Sequence, residues 1–407
     1  MKVGIPILPL HKILSNRNIA IILLVILCVQ IVPIEGYGVS ALKVSIMALA
    51  PILFIIRVPY ISKALLWGML YWGMCFFTAL FHSNMRFSTI GYLGMFVVSY
   101  ITFYHLIHCG AFSLEAFSQL LRRLILVFAV VLVLQQLCLL IGIKTMPILN
   151  LDNQFFLSIT KLPSLTLEPS HTARLLTTMM LCYLRCMELA NGKKCVTVSY
   201  LFSPKERWVT IAFMWSMLTM GSGTAFIGLG LLSLYFIRWN TALYFIPAII
   251  TLFYLGQQLD LKQLDRAYKV VLATSTGDVN LIRAEDGSAA TRIIPIINTF
   301  KMDLADKDIW FGKGTASKEY AQKGWLRTTD HTGCIDQYGL MAFIISLILI
   351  YTCAIKSFFS LETLMFVVLF GMALNNIAYV WGAIMLFSIV RYFQEGWETD
   401  IVTEDVD

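Results

Sequence analysis

Charged residues are scarce in this chain of 407 residues: Asp, Glu, Lys and Arg together make up 14%, against about 25% in an average soluble domain. Apolar residues reach 58%, and the mean hydropathy is +0.76. This balance excludes an ordinary soluble enzyme and is typical of an integral membrane protein. The net charge of +7 is therefore not a nucleic-acid signature, because basic residues in membrane proteins set the orientation of the loops.

Several chemical motifs are also missing. The sequence has no phosphate loop, no dinucleotide fingerprint, no internal repeat and no metal-ligand spacing among its Cys and His residues. These absences argue against a nucleotide-driven cytoplasmic enzyme, and we expect neither a metal ion nor another cofactor. Of nine cysteines, only Cys334 falls in the long polar segment 257–336, so that segment cannot contain an internal disulfide and is expected to fold by packing.

Long apolar runs dominate the rest of the chain, and we interpret twelve of them as transmembrane helices. The first run lacks a small-residue cleavage site and is followed by further spans, so we interpret it as an anchor. The predicted fold class is an all-α polytopic integral membrane protein with about 12 transmembrane helices and one large periplasmic loop. The predicted spans are 19–34, 38–56, 64–81, 89–109, 124–143, 172–190, 208–220, 224–237, 241–255, 337–355, 361–376 and 378–393.

Basic residues predict the orientation. With both termini in the cytoplasm, fifteen Lys and Arg residues lie at the inner side and four in the short outer connections. The long segment carries eleven basic and eleven acidic residues and is discounted, because long loops cross the membrane largely regardless of charge. We therefore divide the chain into spans 1–9 (1–255), a periplasmic loop (256–336), and spans 10–12 with a cytoplasmic tail (337–407).

The stretch 167–174, LEPSHTAR, begins the sixth span on the outer side. Pro169 suits the first turn of a helix, with Glu168 as its cap. Glu168, His171 and Arg174 then lie three residues apart on one sector of the helix. Two interpretations stay open: a capped helix start with a compensated Glu–Arg pair, or a polar cluster at the positive end of a helix dipole, where an anion such as pyrophosphate is favoured.

The stretch 221–224, GSGT, separates two spans of about fourteen residues, each of which covers roughly 20 Å of a ~30 Å hydrocarbon core. The turn is therefore expected below the outer surface, where its backbone must be buried in protein or face a wet cavity. The alternative is one long tilted helix with a glycine kink, which would move the long segment to the cytoplasm.

The long segment holds the third polar region. Ser288 is the expected cap of an amphipathic helix that carries Arg292, and Pro295 predicts a kink or a later helix start. A tight turn is expected at 311–315, FGKGT, and the stretch 327–333, RTTDHTG, precedes the tenth span.

The order of these motifs resembles the Wzy-type O-antigen polymerases and the related O-antigen ligases. The resemblance covers about residues 165–340, and two positions depart from it: Gly223 stands where many relatives carry Arg, and the usual His-Asn pair reads His331-Thr332. The residues that fall on family motif positions are Glu168, Arg174, Arg292, Gly312, Gly314 and His331.

The resemblance implies a GT-C-like, metal-independent glycosyltransferase of lipopolysaccharide biosynthesis in the bacterial inner (plasma) membrane. It would transfer a glycan from undecaprenyl (polyprenyl) pyrophosphate to a sugar hydroxyl of another lipid-linked repeat unit. The expected partners are that lipid-linked oligosaccharide and the bilayer, with room for a chain-length regulator and without nucleic acid. Glu168 or His331 would be the catalytic base, and pyrophosphate or sugar would be bound by Arg174, Arg292, His171, Ser288, Lys313 and Arg327.

Two alternatives stay open. An O-antigen ligase, which moves finished polymer to a lipid A core, shares the mechanism. An exporter of lipid-linked oligosaccharide also suits twelve spans, although transporters usually show internal repeats and polar residues near the midplane.

The assignment of Arg292 as a pyrophosphate clamp is testable. A planar guanidinium binds phosphate oxygens bidentately, so Arg292→Ala should abolish polymer while the protein stays in the membrane at its normal level. Gel analysis of surface polysaccharide measures the outcome, and long chains that persist would contradict the assignment.

Overall fold

The computed structural model describes residues 15–30, 41–57, 61–82, 87–143, 146, 161–192, 194–237, 269, 272–285, 287–314, 330–372 and 374–404. Within these ranges the chain is helical and contains no β-strand. Its helices are α1 (Asn16–Cys28), α2 (Ala41–Arg57), α3 (Lys63–Leu80), α4 (Phe87–His108), α5 (Leu114–Leu140), α6 (Pro169–Ala190), α7 (Val198–Leu201), α8 (Arg207–Thr219), α9 (Gly223–Ser233), α10 (Val279–Glu285), α11 (Gly287–Phe300), α12 (Lys307–Phe311), α13 (Ile335–Cys353), α14 (Leu361–Phe370) and α15 (Ala378–Glu404).

Four described helices, α3, α4, α5 and α13, are long and apolar enough to cross a membrane. Shorter apolar helices are α1, the stretch Lys43–Ile55, the stretch Gly223–Phe236 and α14. Large apolar side chains such as Ile55, Phe77 and Leu140 are exposed on α2, α3 and α5, as expected of surfaces that face lipid. The count of twelve spans and the side of each loop stay predictions, and the span expected at 241–255 lies outside the described residues.

Helix α6 is the buried centre of the bundle. It packs against α5, α9 and α15, and most of its side chains from Thr172 to Leu189 are buried. Helix α15 in turn packs against α1 and α4, and α13 packs against α3. The middle of α6 is therefore inside protein, whereas Arg174 and Arg185, one towards each end, are half-buried.

Some helices begin at residues other than those at which the apolar runs begin, because a capping side chain sets the first turn. The fifth predicted span starts at residue 124, yet α5 begins at Leu114 because the Ser113 hydroxyl accepts a hydrogen bond from the Ala116 amide at 3.2 Å. Helix α11 begins at Gly287, one residue before Ser288, and the expected cap by the Ser288 side chain lies outside the described residues. Pro295 lies inside α11 and does not delay its start.

The chain breaks at the glycine-rich stretch 221–224. Helices α8 and α9 are separate, and Gly221 between them has a φ of 72°. Ser222 and Thr224 are buried, and the Met220 carbonyl accepts a hydrogen bond from the Leu162 amide at 3.2 Å. One continuous kinked helix is therefore excluded. The break is partly buried, because Ser222 and Thr224 lie inside protein while Gly223 is exposed.

The described part of the long segment contains α10, α11 and α12. A small apolar cluster of Ala273, Ile282, Ala290 and Ile294 joins α10 to α11, which confirms that the α11 run is amphipathic. Helix α12 packs against the start of α13, and the two backbones meet at two glycines. A Cβ on Gly339 would lie 2.0 Å from the Trp310 carbonyl oxygen, and one on Gly312 would lie 2.7 Å from the Gln337 carbonyl.

Gly339→Ala should therefore destabilise the fold. Its φ of 87° costs an L-residue about 1–2 kcal/mol, and the backbone clash adds to that. A lower thermal unfolding temperature in detergent is the expected result. Gly73→Ala is the matched control, because Gly73 lies in α3 and a Cβ added to it would have no other atom within 4 Å, so this variant should gain up to about 1 kcal/mol. Equal unfolding temperatures for the two variants would contradict the close packing.

Candidate functional site

The start of α6 has the geometry of a helix that opens on a polar site. Glu168 occupies the N-cap position and Pro169 follows it in the first turn, as predicted. The Glu168 side chain makes no capping bond to the backbone, so Glu168 is the cap by its position and not through its side chain. Its Oε2 accepts a hydrogen bond from Ser170 Oγ at 3.1 Å and lies 3.5 Å from His171 Nε2.

Arg174 lies one turn further along α6, and its partner is aromatic. Its Nη1 donates to the Tyr379 hydroxyl, and its guanidinium carbon is 5.4 Å from the Tyr379 ring centroid. The His171 ring lies against the same tyrosine, with centroids 4.2 Å apart. Within the described ranges, no carboxylate lies within 4 Å of the Arg174 guanidinium, so the expected Glu–Arg pair is wrong.

The Nε of Arg174 is buried and has no hydrogen-bond partner among the described residues. A buried donor without an acceptor costs about 1–3 kcal/mol. Since α6 also begins here with its positive dipole end, an anion would relieve this cost and find a preformed cationic site.

Arg185, further along α6, shows how this bundle neutralises an arginine when no ligand is needed. Its Nε lies 2.7 Å from Glu362 Oε1, and its Nη1 lies 2.8 Å from Glu188 Oε2. The pairs border a cleft of about 300 Å³ at that end of α6. Two carboxylates hold Arg185, whereas among the described residues the Arg174 guanidinium bonds only to the Tyr379 phenol.

His331 forms the second polar group. Its Nδ1 is 2.8 Å from Asp336 Oδ1, and its backbone amide donates to Asp336 Oδ2 at 2.9 Å. The side chains are 14% and 3% exposed, respectively. No described residue bonds to His331 Nε2. Beside it, burial raises the pKa of the Cys334 thiol to about 12, so Cys334 stays neutral and is no nucleophile.

The glycine turn lies against this pair. The Lys313 amide donates to the Asp336 carbonyl at 2.7 Å, and Gly312 and Gly314 both have positive φ, as a tight turn requires. The Lys313 ammonium is exposed and lies 3.8 Å from Asp330 Oδ2. The backbone of the turn, more than the lysine side chain, is thus built into the site.

Helix α11 reaches the same place through its last turn. Asn298 Nδ2 donates to the Asp330 carbonyl at 2.9 Å, and the Thr332 amide donates to Thr299 Oγ1 at 2.8 Å. The helix that carries Ser288 and Arg292 is therefore anchored to the His331 segment. The side chains of Ser288 and Arg292, and the whole of Arg327, lie outside what the structure describes.

The connection between α14 and α15 joins the two polar groups. Thr332 Oγ1 donates to the Gly371 carbonyl, and the Gly333 amide donates to the same oxygen at 3.1 Å. At the start of α15, Tyr379 contacts Arg174 and His171. The start of α6 and the His331 segment are thus held by opposite ends of one short connection.

Sequence reasoning missed two members of this arrangement. Tyr379 has the pattern of an ordinary residue of the last span, because nothing in a lone aromatic near a span end marks it as the partner of an arginine. Asp336 falls at the predicted end of the loop, although an acidic residue shortly after a candidate histidine, at a helix start, was a usable signal.

The chain matches no family profile, no curated protein and no solved structure. Among the described residues, no group of three or more His, Cys, Asp or Glu side chains could hold a metal ion. The functional assignment therefore depends on the geometry of the site together with the sequence motifs.

The contrast between the two arginines predicts opposite phenotypes. Arg185→Ala would strand two carboxylates in the protein interior and should cost about 3 kcal/mol or more of stability. Arg174→Ala strands no charge, so it should leave the unfolding temperature in detergent nearly unchanged and abolish function. Thermal unfolding and polymer gels of both variants measure this, and a large loss of stability in Arg174→Ala would make Arg174 a structural residue.

Proposed function

We propose that the chain is a membrane glycosyltransferase that polymerises lipid-linked repeat units of a surface polysaccharide such as O-antigen. The observation that carries this is Arg174, a cation at the positive end of a buried helix with a buried Nε and no carboxylate partner within the described ranges. Such a site suits the pyrophosphate of a polyprenyl donor, whose tail the surrounding apolar helices would accommodate.

His331 supplies the base in this proposal. Its Nδ1 is bonded to Asp336, and its Nε2, to which no described residue bonds, would accept the proton of a hydroxyl. Glu168 is the weaker candidate because its Oε2 already accepts from Ser170 Oγ and lies 3.5 Å from His171 Nε2. In the reaction, a sugar hydroxyl gives its proton to His331 Nε2 while its oxygen attacks the anomeric carbon of the donor.

The bond between that carbon and the pyrophosphate oxygen breaks, and the pyrophosphate departs with the electron pair. Arg174 would stabilise the charge that develops on it, with Arg292 as a second clamp supplied by α11. His171, packed on Tyr379, would line the same subsite, and Lys313, Ser288 and Arg327 would contact sugar. The reaction is placed on the periplasmic side of the bacterial inner membrane and needs no metal.

The ligase reaction on a lipid A core uses the same chemistry with a different acceptor. The Glu-Pro-Ser motif at 168–170 favours the polymerase, because it is the feature through which the sequence resembles that branch. Lipid export is the third candidate. It is the less favoured one because transport does not require a general base.

The test is a gel of surface polysaccharide from cells that lack the gene, complemented with variants. A core that carries one repeat unit and no ladder would support the polymerase. Bare core with polymer on the polyprenyl carrier would make the protein a ligase. Bare core with nothing on the outer leaflet would make it an exporter. Complementation with His331→Gln should restore no ladder. Glu168→Gln should do more damage than Lys313→Ala, because the Glu168 carboxylate contacts His171, which packs on the same tyrosine as Arg174, whereas Lys313 joins the His331 segment through its backbone amide. If the last two variants had equal and mild effects, Glu168 would have only a structural role at the start of α6.

A further inference from the structure

Asp336 has a geometry that the proposed reaction has not yet used. It is 3% exposed, and it lies in the first turn of α13, where the helix dipole favours a negative charge. Both of its carboxylate oxygens bond to one residue: Oδ1 to the His331 ring and Oδ2 to the His331 amide, at 2.8 and 2.9 Å. A carboxylate only accepts hydrogen bonds, so the ring nitrogen that faces it must carry the proton.

From this arrangement we infer that Asp336 is a positioning residue which fixes the His331 tautomer, so that Nε2 carries the lone pair that receives the proton of the acceptor hydroxyl. The inference builds on the proposed function and adds a residue that no sequence motif assigned. Asp336 touches no substrate in this scheme. It acts through His331 alone, by choosing which nitrogen is basic and by fixing the plane of the ring.

Among the described residues, only Asp336 bonds to the His331 ring. Lys313 and Asp330, on the neighbouring segments, lie 3.8 Å from each other and are exposed, so solvent screens their charges. His82, at the end of α3, is bonded to the Phe311 carbonyl. From α11, Asn298 and Thr299 contact only the backbone of the His331 segment. No other described group bonds to the His331 ring.

Asp336→Asn is the informative change. An amide has nearly the same shape, but its nitrogen can donate to His331 Nδ1, which would put the ring proton on Nε2 and remove the base. A positioned general base contributes about 10²–10⁴-fold to a rate. We therefore expect kcat to fall about 100-fold or more with KM within about twofold, because the donor is bound elsewhere, at Arg174.

The experiment is a double-mutant cycle in proteoliposomes, with lipid-linked repeat unit extracted from the deletion strain as donor and acceptor. The variants are His331→Gln, Asp336→Asn and the pair, with rates normalised to folded protein from size-exclusion chromatography. Asp303→Asn is the matched control, because Asp303 is exposed and bonds only to the Ala305 amide. A second cycle with Asp336→Glu keeps the carboxylate and should retain more rate than Asn.

If Asp336 acts through His331, the pair should be no slower than His331→Gln alone. An additional loss in the pair beyond either single variant would make Asp336 a structural residue and overturn the inference, as would an Asp336→Asn enzyme with wild-type kcat. Full activity in His331→Gln would instead overturn the base assignment of the proposed function, whatever Asp336 does. The two failures are therefore distinguishable.

Discussion

A charge inside an apolar bundle must be neutralised by its surroundings, and this constraint organises the protein around α6. The helix is buried on nearly all sides and carries an arginine towards each end. At one end the cost is met inside the chain, because Glu188 and Glu362 bracket Arg185. At the other end the Arg174 guanidinium bonds to Tyr379 within the described ranges, and in the proposed function the pyrophosphate of the donor would supply the remaining neutralisation. The same physical requirement would thus produce a structural ion pair and a binding site on one helix.

Local chemistry made part of this predictable from sequence. Pro169 and Glu168 mark the start of α6 because proline lacks the amide that a first helical turn does not need. The glycines at 221–223 mark the break between α8 and α9 because Gly221 adopts a backbone conformation that other residues avoid. The amphipathic pattern of α11 follows in the same way from the period of its isoleucines. Each of these features depends on residues close together in the chain.

The partners of the functional side chains were not predictable in this way. The spacing on the helix suggested that Glu168 could pair with Arg174, yet of His171 and Arg174 its carboxylate contacts only His171. Tyr379 meets Arg174 from 205 residues away, and only the packing of α15 on α6 brings them together. Asp336 is only five residues from His331 in the sequence. Which residue its carboxylate faces, however, is set by the fold of the chain at the start of α13.

Gly339 has a consequence for the lipid around the site. Its φ of 87° and ψ of 170° interrupt α13 after the first turn, so the uninterrupted helix that follows is about fourteen residues, or ~21 Å, long. A hydrocarbon core is about 30 Å thick, and a span shorter than the core is accommodated by local thinning of the bilayer or by cover from neighbouring elements. The interruption lies against Gly312 of the glycine turn, so in the proposed function the membrane surface would dip near the place where the lipid-borne sugar reacts.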